Sequence, residues 1–257
     1  MNQFENQWAL ITGSSSGIGW GIAQSLAEQR INLILQGLES LEQMQDKIQV
    51  LKNTTGVNIQ YHSVDFSDTK AWHAFVSQLP THHILINNAG LQFVASVAEF
   101  PLEKWNLLLQ LHLTVPFMLI QNFLKQTLHS PARIINISSV HGLVASVNKS
   151  AYVTAKHGLI GLTKTVALET AGTGITCNAI CPGWVKTPLV ENQIRDRAKK
   201  ENMSFEQATV KLLEEKQPSK TFTDVSDIAG LVQFLCSPAG KNITGSSMTL
   251  DGGWTAQ

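Results

Sequence analysis

Seven short apolar runs, at 8–12, 31–35, 59–64, 84–86, 134–137, 175–180 and 246–250, alternate with stretches whose apolar residues recur at helical spacing. Helices are expected after the first run, with Ile18, Ile22 and Leu26 on one face and a stop near Arg30, and at 41–52, 69–79, 102–127, 150–170 and 225–235. Strands that are apolar throughout must be covered on both faces, and strands joined through helices pair in parallel. The alternation predicts an α/β chain of parallel βαβ units in one domain, residues 1–257. Only 188–223 breaks the rhythm, being charged and helix-prone without a strand pattern. Two readings stand for it: a solvated helical hairpin, or a mobile lid over a pocket at the strand ends.

Charge removes several function classes. Nineteen Lys and Arg balance nineteen Asp and Glu, so the formal net charge is zero, and no basic excess is available for nucleic acid or an anionic membrane. Cys177, Cys181 and Cys236 cannot all pair with one another, and Cys177/Cys181 lacks a further His or Cys to complete a zinc set, so no metal is expected. The first residues are polar, without an apolar leader, and the longest apolar stretch, 107–120, is interrupted by Gln110, His112 and Pro116. A cytoplasmic protein with no membrane role is expected.

Between the first strand and the first helix lies Thr12-Gly-Ser-Ser-Ser-Gly-Ile-Gly19. Glycines there permit a tight turn and close backbone approach, and the helix start offers free N–H groups to a pyrophosphate. Asn87-Asn-Ala-Gly90 follows the fourth strand, Ser139, Tyr152 and Lys156 fit an S-x12-Y-x3-K spacing, and Pro182-Gly183 follows the sixth strand. Together these motifs resemble the short-chain dehydrogenase/reductase family. The resemblance implies a Rossmann-type, doubly wound sheet of about seven parallel strands with a helical substrate lid. It also implies a nicotinamide dinucleotide on Gly13, Ser15, Gly17, Ile18 and Gly19, with Asp65 and Phe66 at the adenine and Asn88 and Gly90 at the ribose. Pro182, Gly183, Val185 and Thr187 would meet the nicotinamide. At the end of the second strand, Leu38 and Glu39 stand where no Lys or Arg could pair a 2′-phosphate and where the usual Asp is missing. NAD is favoured by exclusion.

Tyr152 and Lys156 lie four apart in a helical pattern and share a face. Lowering a tyrosine from about 10 to about 7.5 takes roughly 3.4 kcal/mol, and an ammonium about 4 Å away supplies on the order of 4 kcal/mol at an effective dielectric of about 20. Lys156 is thus expected to make Tyr152 a base, with Ser139 hydrogen-bonding the reacting oxygen. The family's helix Asn, placed seven after a Trp, is here His112, counted from Trp105. An imidazole there could carry protons, displace a relay water, or be a satisfied interior side chain.

His141 and Lys149 bracket the reaction centre as candidate cations for a small carboxylate, with Gln92 and Gln193 as amide donors and Trp184 and Trp254 as apolar walls. The segments 139–152, 178–190, 215–218 and 251–255 resemble, more narrowly, the bacterial D-3-hydroxybutyrate dehydrogenase family. That resemblance implies that Gln92, His141, Lys149 and Gln193 grip the carboxylate and that Trp184, with Trp254 of the partner subunit, faces the methyl group. It further implies NAD and a homotetramer packed through helices 102–127 and 150–170. Two rivals share these motifs: a 3-oxoacyl-thioester reductase, and a dinucleotide-binding protein without turnover.

Overall fold

The strand order follows from where each βαβ crossover lands. In the computed structural model, which describes residues 3–127 and 131–256, seven strands form one parallel sheet in the order β3-β2-β1-β4-β5-β6-β7. They are β1 (Trp8–Ile11), β2 (Asn32–Gly37), β3 (Ile59–Ser63), β4 (Ile84–Asn87), β5 (Ala132–Ile137), β6 (Ile175–Pro182) and β7 (Ser247–Leu250). Each expected run is a strand. β5 begins two residues early because Arg133, polar and so discounted, is buried within the sheet. Its guanidinium is satisfied by the carbonyls of Leu235, Ala132 and Gly174.

Alternate strand residues feed opposite layers. Ala9, Ile11, Leu33 and Leu35 point into one core, and Leu10 and Ile34 into the other. The first core is closed by α1 (Gly17–Glu28), α2 (Leu41–Thr55) and α9 (Val225–Cys236) through Ile22, Leu26, Met44, Ile48, Ile228 and Val232. The second is closed by α3 (Thr69–Gln78), α5 (Val115–Thr127) and α6 (Ser150–Glu169) through Trp72, Phe75, Leu119, Phe123 and Val166. Helices therefore cover both faces, as the continuous apolar strands require.

The expected helix 102–127 is α4 (Leu102–Leu109), a π turn (Gln110–Thr114) and α5 in direct succession. Its 26 residues, with mean hydropathy 1.5 in the most apolar window, are long and apolar enough to cross a bilayer. That exceeds the short span expected from 107–120, yet the row Val115, Leu119, Ile120 and Phe123 packs onto the sheet as a core helix does. The 188–223 segment is a helical hairpin, α7 (Pro188–Glu201) and α8 (Phe205–Lys216), with a small core of its own. Val190, Ile194, Ala208 and Leu212 form it, against Trp184, Met203 and Phe222. Its surface is laced by ion pairs, Arg195–Glu191 at 3.1 Å, Arg197–Glu201 at 2.9 Å and Lys220–Glu214 at 3.0 Å among them.

Candidate active site

β1 has β2 on one side and β4 on the other, so the chain reverses direction across the sheet between β1 and β4. Crevices open at the C-terminal ends of strands at such a switch point. Here the two loops that form it are stapled together. Thr12 Oγ1 accepts from the Asn88 and Ala89 N–H groups at 2.9 and 3.0 Å, and Asn88 Nδ2 donates to the Thr12 and Gly13 carbonyls at 3.0 and 2.9 Å. Gln36, on β2, accepts from the Gly13 N–H at 2.9 Å and donates to the Val64 carbonyl at 2.7 Å. Gly13 is at φ +60°, and a Cβ there would lie 2.7 Å from Ala89 Cα, so only glycine permits the two loops to close. α1 then starts at Ser16 with no side-chain cap and no acidic residue in its first turn. Ser16, Gly17 and Ile18 at this open start line the cavity, and a helix start without its own cap suits an anionic diphosphate.

The cavity, about 420 Å³, runs from this loop to the helical hairpin. Gly13, Ser15, Gly17, Ile18, Leu38, Asp65, Phe66, Asn88 and Gly90 line its cofactor end, and Pro182, Gly183, Val185 and Thr187 its middle. Gly19 does not line it. A Cβ there would strike the Gly13 carbonyl oxygen, so Gly19 lets α1 close on the loop rather than touching a ligand.

Ser139, Tyr152 and Lys156 meet in the centre of the cavity. Ser139 leaves β5 as the N-cap of a short 3₁₀ turn, its Oγ accepting from the His141 N–H at 3.2 Å. One turn of α6 carries Tyr152 and Lys156, with the ammonium 5.6 Å from the phenol ring centroid. Lys156 donates to the Ile137 carbonyl at 2.7 Å, and burial drops it to about 8. Tyr152 departs from expectation. Burial pushes the phenol above its usual range, and the side chains of Gln92 and Ser139 only partly oppose this. Lys156 is not among the groups that lower it, and its ammonium is turned to a main-chain carbonyl.

The far end is lined by Gln92, His141, Lys149, Trp184, Gln193 and Trp254. Lys149 Nζ lies 5.2 Å from the Trp184 ring, and burial lowers it to about 8. His141 was expected as a second cation. Burial and the nearby Lys149 bring it instead to about 3, so it is neutral near pH 7 and offers hydrogen bonds only, with Nε2 2.9 Å from Ser146 Oγ. Trp254 was expected from the partner subunit. The chain's own Trp254 fills that place, 5.4 Å from His141 and 5.7 Å from Trp184 between ring centroids. Asp251 builds the turn that puts it there, accepting from the Gly253 N–H at 3.1 Å and the Thr255 N–H at 2.9 Å. Gln217, buried and far in sequence, holds the Trp184 N–H at 2.9 Å.

Several contributors carried no sequence signal. Leu91, Leu107, Leu111 and Val190 line the cavity as ordinary apolar residues. Lys47, two turns into α2, reaches back to the Ser15 carbonyl at 2.8 Å and lies 4.6 Å from the Trp20 ring centroid. Among the described residues no cluster of His, Cys, Asp and Glu could hold a metal ion.

The chain is an oxidoreductase of the short-chain dehydrogenase/reductase family, whose sheet carries Ser139, Tyr152 and Lys156 beside a glycine loop. A family model described as Enoyl-(Acyl carrier protein) reductase matches residues 13–255. The chain is 44% identical to the D-beta-hydroxybutyrate dehydrogenase of Cupriavidus necator over 97% of its own length and 98% of that protein's. Among solved structures it is similar to L-sorbose reductase from Gluconobacter frateurii complexed with NADPH and L-sorbose (TM-score 0.93, 26% identical, all of both chains covered). It is also similar to 4-hydroxyisoleucine dehydrogenase complexed with NADH, at TM-score 0.86 and 29% identity, over 98% of this chain and 100% of that one.

Proposed function

We propose that this chain catalyses the reversible oxidation of (R)-3-hydroxybutyrate to acetoacetate with NAD, as a cytoplasmic homotetramer. The observation that carries the substrate is the cavity's polarity: Tyr152 and Ser139 stand at its centre and Lys149 against Trp184 at its far end. A short acid would span the two, its carboxylate toward Lys149 and the amides of Gln92 and Gln193, its alkyl end against Trp184 and Trp254. The Cupriavidus necator relative supports this choice.

NAD rather than NADP is supported by Glu39, whose carboxyl is held below its usual range by Ser15 and the Lys47 charge. It lines the cavity at the end of β2 as an anion, which a 2′-phosphate would meet unfavourably. The glycine loop, Asn88 and Thr187 fit the dinucleotide, which when bound supplies the hydride acceptor and a positive charge. That charge acts in the direction Tyr152 needs, offsetting the burial that raises its phenol. Tyr152 would take the substrate hydroxyl proton, Ser139 would hold the same oxygen, and Lys149 would fix the carboxylate so that the carbinol faces Tyr152. Leu102, Phe117 and Leu168 stand exposed on α4, α5 and α6, which supports subunit packing through those helices.

The test is direct: NADH absorbance on mixing the protein with NAD and each enantiomer of 3-hydroxybutyrate in turn. Turnover of the R form alone is expected. Turnover of neither, with NADH bound, would remove the substrate and leave the family.

A further inference from the structure

The helical hairpin leaves the sheet past Trp184 and returns through 217–223, and one buried side chain joins the two ends. Gln217 closes α8 as its C-cap and is 1% exposed. Its Oε1 accepts from the Trp184 N–H at 2.9 Å, and its Nε2 donates to the Thr221 carbonyl. These partners fix the amide's orientation, since a main-chain N–H needs an acceptor and a carbonyl needs a donor. Trp184 is held at its other end as well, its carbonyl accepting from the Thr223 N–H at 2.9 Å. The same return segment reaches the turn that carries Trp254. Thr223 Oγ1 donates to the Leu250 carbonyl at 2.7 Å, and the Ser219 N–H to the Gly252 carbonyl at 3.0 Å. Packing at this junction is close: a Cβ on Gly183 would lie 2.7 Å from Gln217 Oε1 and 3.0 Å from Asp251 Cα. Both tryptophans line the cavity, and Gln217 stands behind them, outside its lining.

We propose that Gln217 is a positioning residue for the substrate end of the cavity: it sets where Trp184 stands against the acid's alkyl end, without touching the substrate. This rests on the dehydrogenase function proposed above. Both halves of the amide are needed. An aliphatic side chain of similar size would leave the Trp184 N–H and the Thr221 carbonyl without partners, and the segment that carries the indole would shift to satisfy them. The reacting groups are built on other elements. Ser139 follows β5, Tyr152 stands on α6, and His112, which burial brings to about 3 and so keeps neutral, sits in the π turn with its ring centroid 5.1 Å from that of Tyr152. Loosening the junction therefore acts on how the acid is held, not on the proton and hydride steps.

In Gln217→Leu, KM for 3-hydroxybutyrate should rise by about tenfold, as expected for one lost hydrogen bond, with kcat within about threefold of the parent. Gln217→Glu separates the paired hydrogen bonds from packing. A protonated carboxyl offers the same acceptor to Trp184 and an O–H donor to Thr221, whereas a carboxylate offers no donor. Burial favours the protonated form, and Asp251 at the same junction disfavours a second anion. Lys216 and Lys220 flank the position but are exposed, Lys220 being paired with Glu214 at 3.0 Å. Relative to the parent at the same pH, KM of Gln217→Glu should be within about threefold at pH 6 and raised by about tenfold at pH 9. Amide hydrogen exchange at Trp184, followed by NMR, reads the same junction without substrate. It should be about tenfold faster than the parent in Gln217→Leu and near the parent's rate in Gln217→Glu at pH 6.

A Gln217→Leu enzyme that keeps the parent's KM and Trp184 exchange would overturn the proposal, as would a Gln217→Glu enzyme as poor as Gln217→Leu at pH 6. Should Gln217→Leu not fold, Gln217→Glu decides alone: KM and Trp184 exchange that keep a fixed ratio to the parent from pH 6 to pH 9 would overturn the proposal. The dehydrogenase reading fails on a different result, a parent that turns over neither enantiomer, and the exchange measurement still tests the junction in that case.

Discussion

Replacing Lys149 by methionine removes the charge at the far end of the cavity while keeping most of the side chain's length and its apolar packing on Trp184. A hydrogen bond to a charged group contributes about 1.5–3 kcal/mol, which converts to about 10- to 150-fold in KM for the hydroxy acid. The carboxylate is separated from the reacting carbon by one methylene and unchanged by the reaction, so the loss should fall on KM, with kcat altered only a few-fold. The pH dependence supplies an internal check. Burial lowers Lys149 from 10.5 to about 8, so the parent holds the ammonium below pH 8 and sheds it above. KM should therefore be flat on the acid side and climb by about tenfold per pH unit once Lys149 deprotonates. In Lys149→Met the KM should be high and independent of pH, and in Lys149→Arg low and flat across the same range, because a guanidinium stays charged. The assay is the initial rate of NADH formation at saturating NAD from pH 6.5 to 9.5. A Lys149→Met enzyme with KM within twofold of the parent, or a parent KM that ignores pH, would show that the carboxylate is not held here.

Neutralising the ribose end should relax the choice of cofactor: in Glu39→Gln the ratio of NADPH to NADH affinity, measured by nucleotide fluorescence, should rise by about tenfold as the Lys47 charge is no longer opposed. An unchanged ratio would leave Leu38 as the discriminator. Trp254→Ala opens the apolar wall beside His141 and Trp184, so kcat/KM for the five-carbon 3-hydroxy acid should rise relative to the four-carbon one. If both fall equally, Trp254 supports the fold of its turn and not the substrate. Asn136 bridges Asn87 Nδ2 and Thr163 Oγ1 at 2.8 Å each beneath the site. Asn136→Ala strands both and should cost about 2 kcal/mol, lowering Tm by about 4–8 °C in a thermal scan.

Fold and family were written in local pattern. A continuous apolar run such as 175–180 can satisfy its two faces only inside a covered sheet, and each helical spacing marks one crossover, so the alternation calls for parallel strands covered on both faces, while the doubly wound order came with the family resemblance. Gly13, Ser139, Tyr152 and Lys156 were likewise legible, because a tight turn and a four-residue helical spacing are local properties. Charge state was not. His141 and Lys149 both read as cations, yet burial and proximity leave the imidazole neutral and the ammonium near 8. Tyr152 and Lys156 illustrate the same limit, since the burial that raises the phenol also weakens the ammonium expected to lower it. Composition and spacing thus determined that strands alternate with helices and that Tyr152 and Lys156 share one helix face, while the grouping of Ser139 with them came with the family resemblance. Only the tertiary structure decided which distant segments wall the pocket and which cation keeps its charge. Those depend on solvent exclusion and on carbonyls contributed by segments far away in the chain, and neither exists until the sheet has assembled.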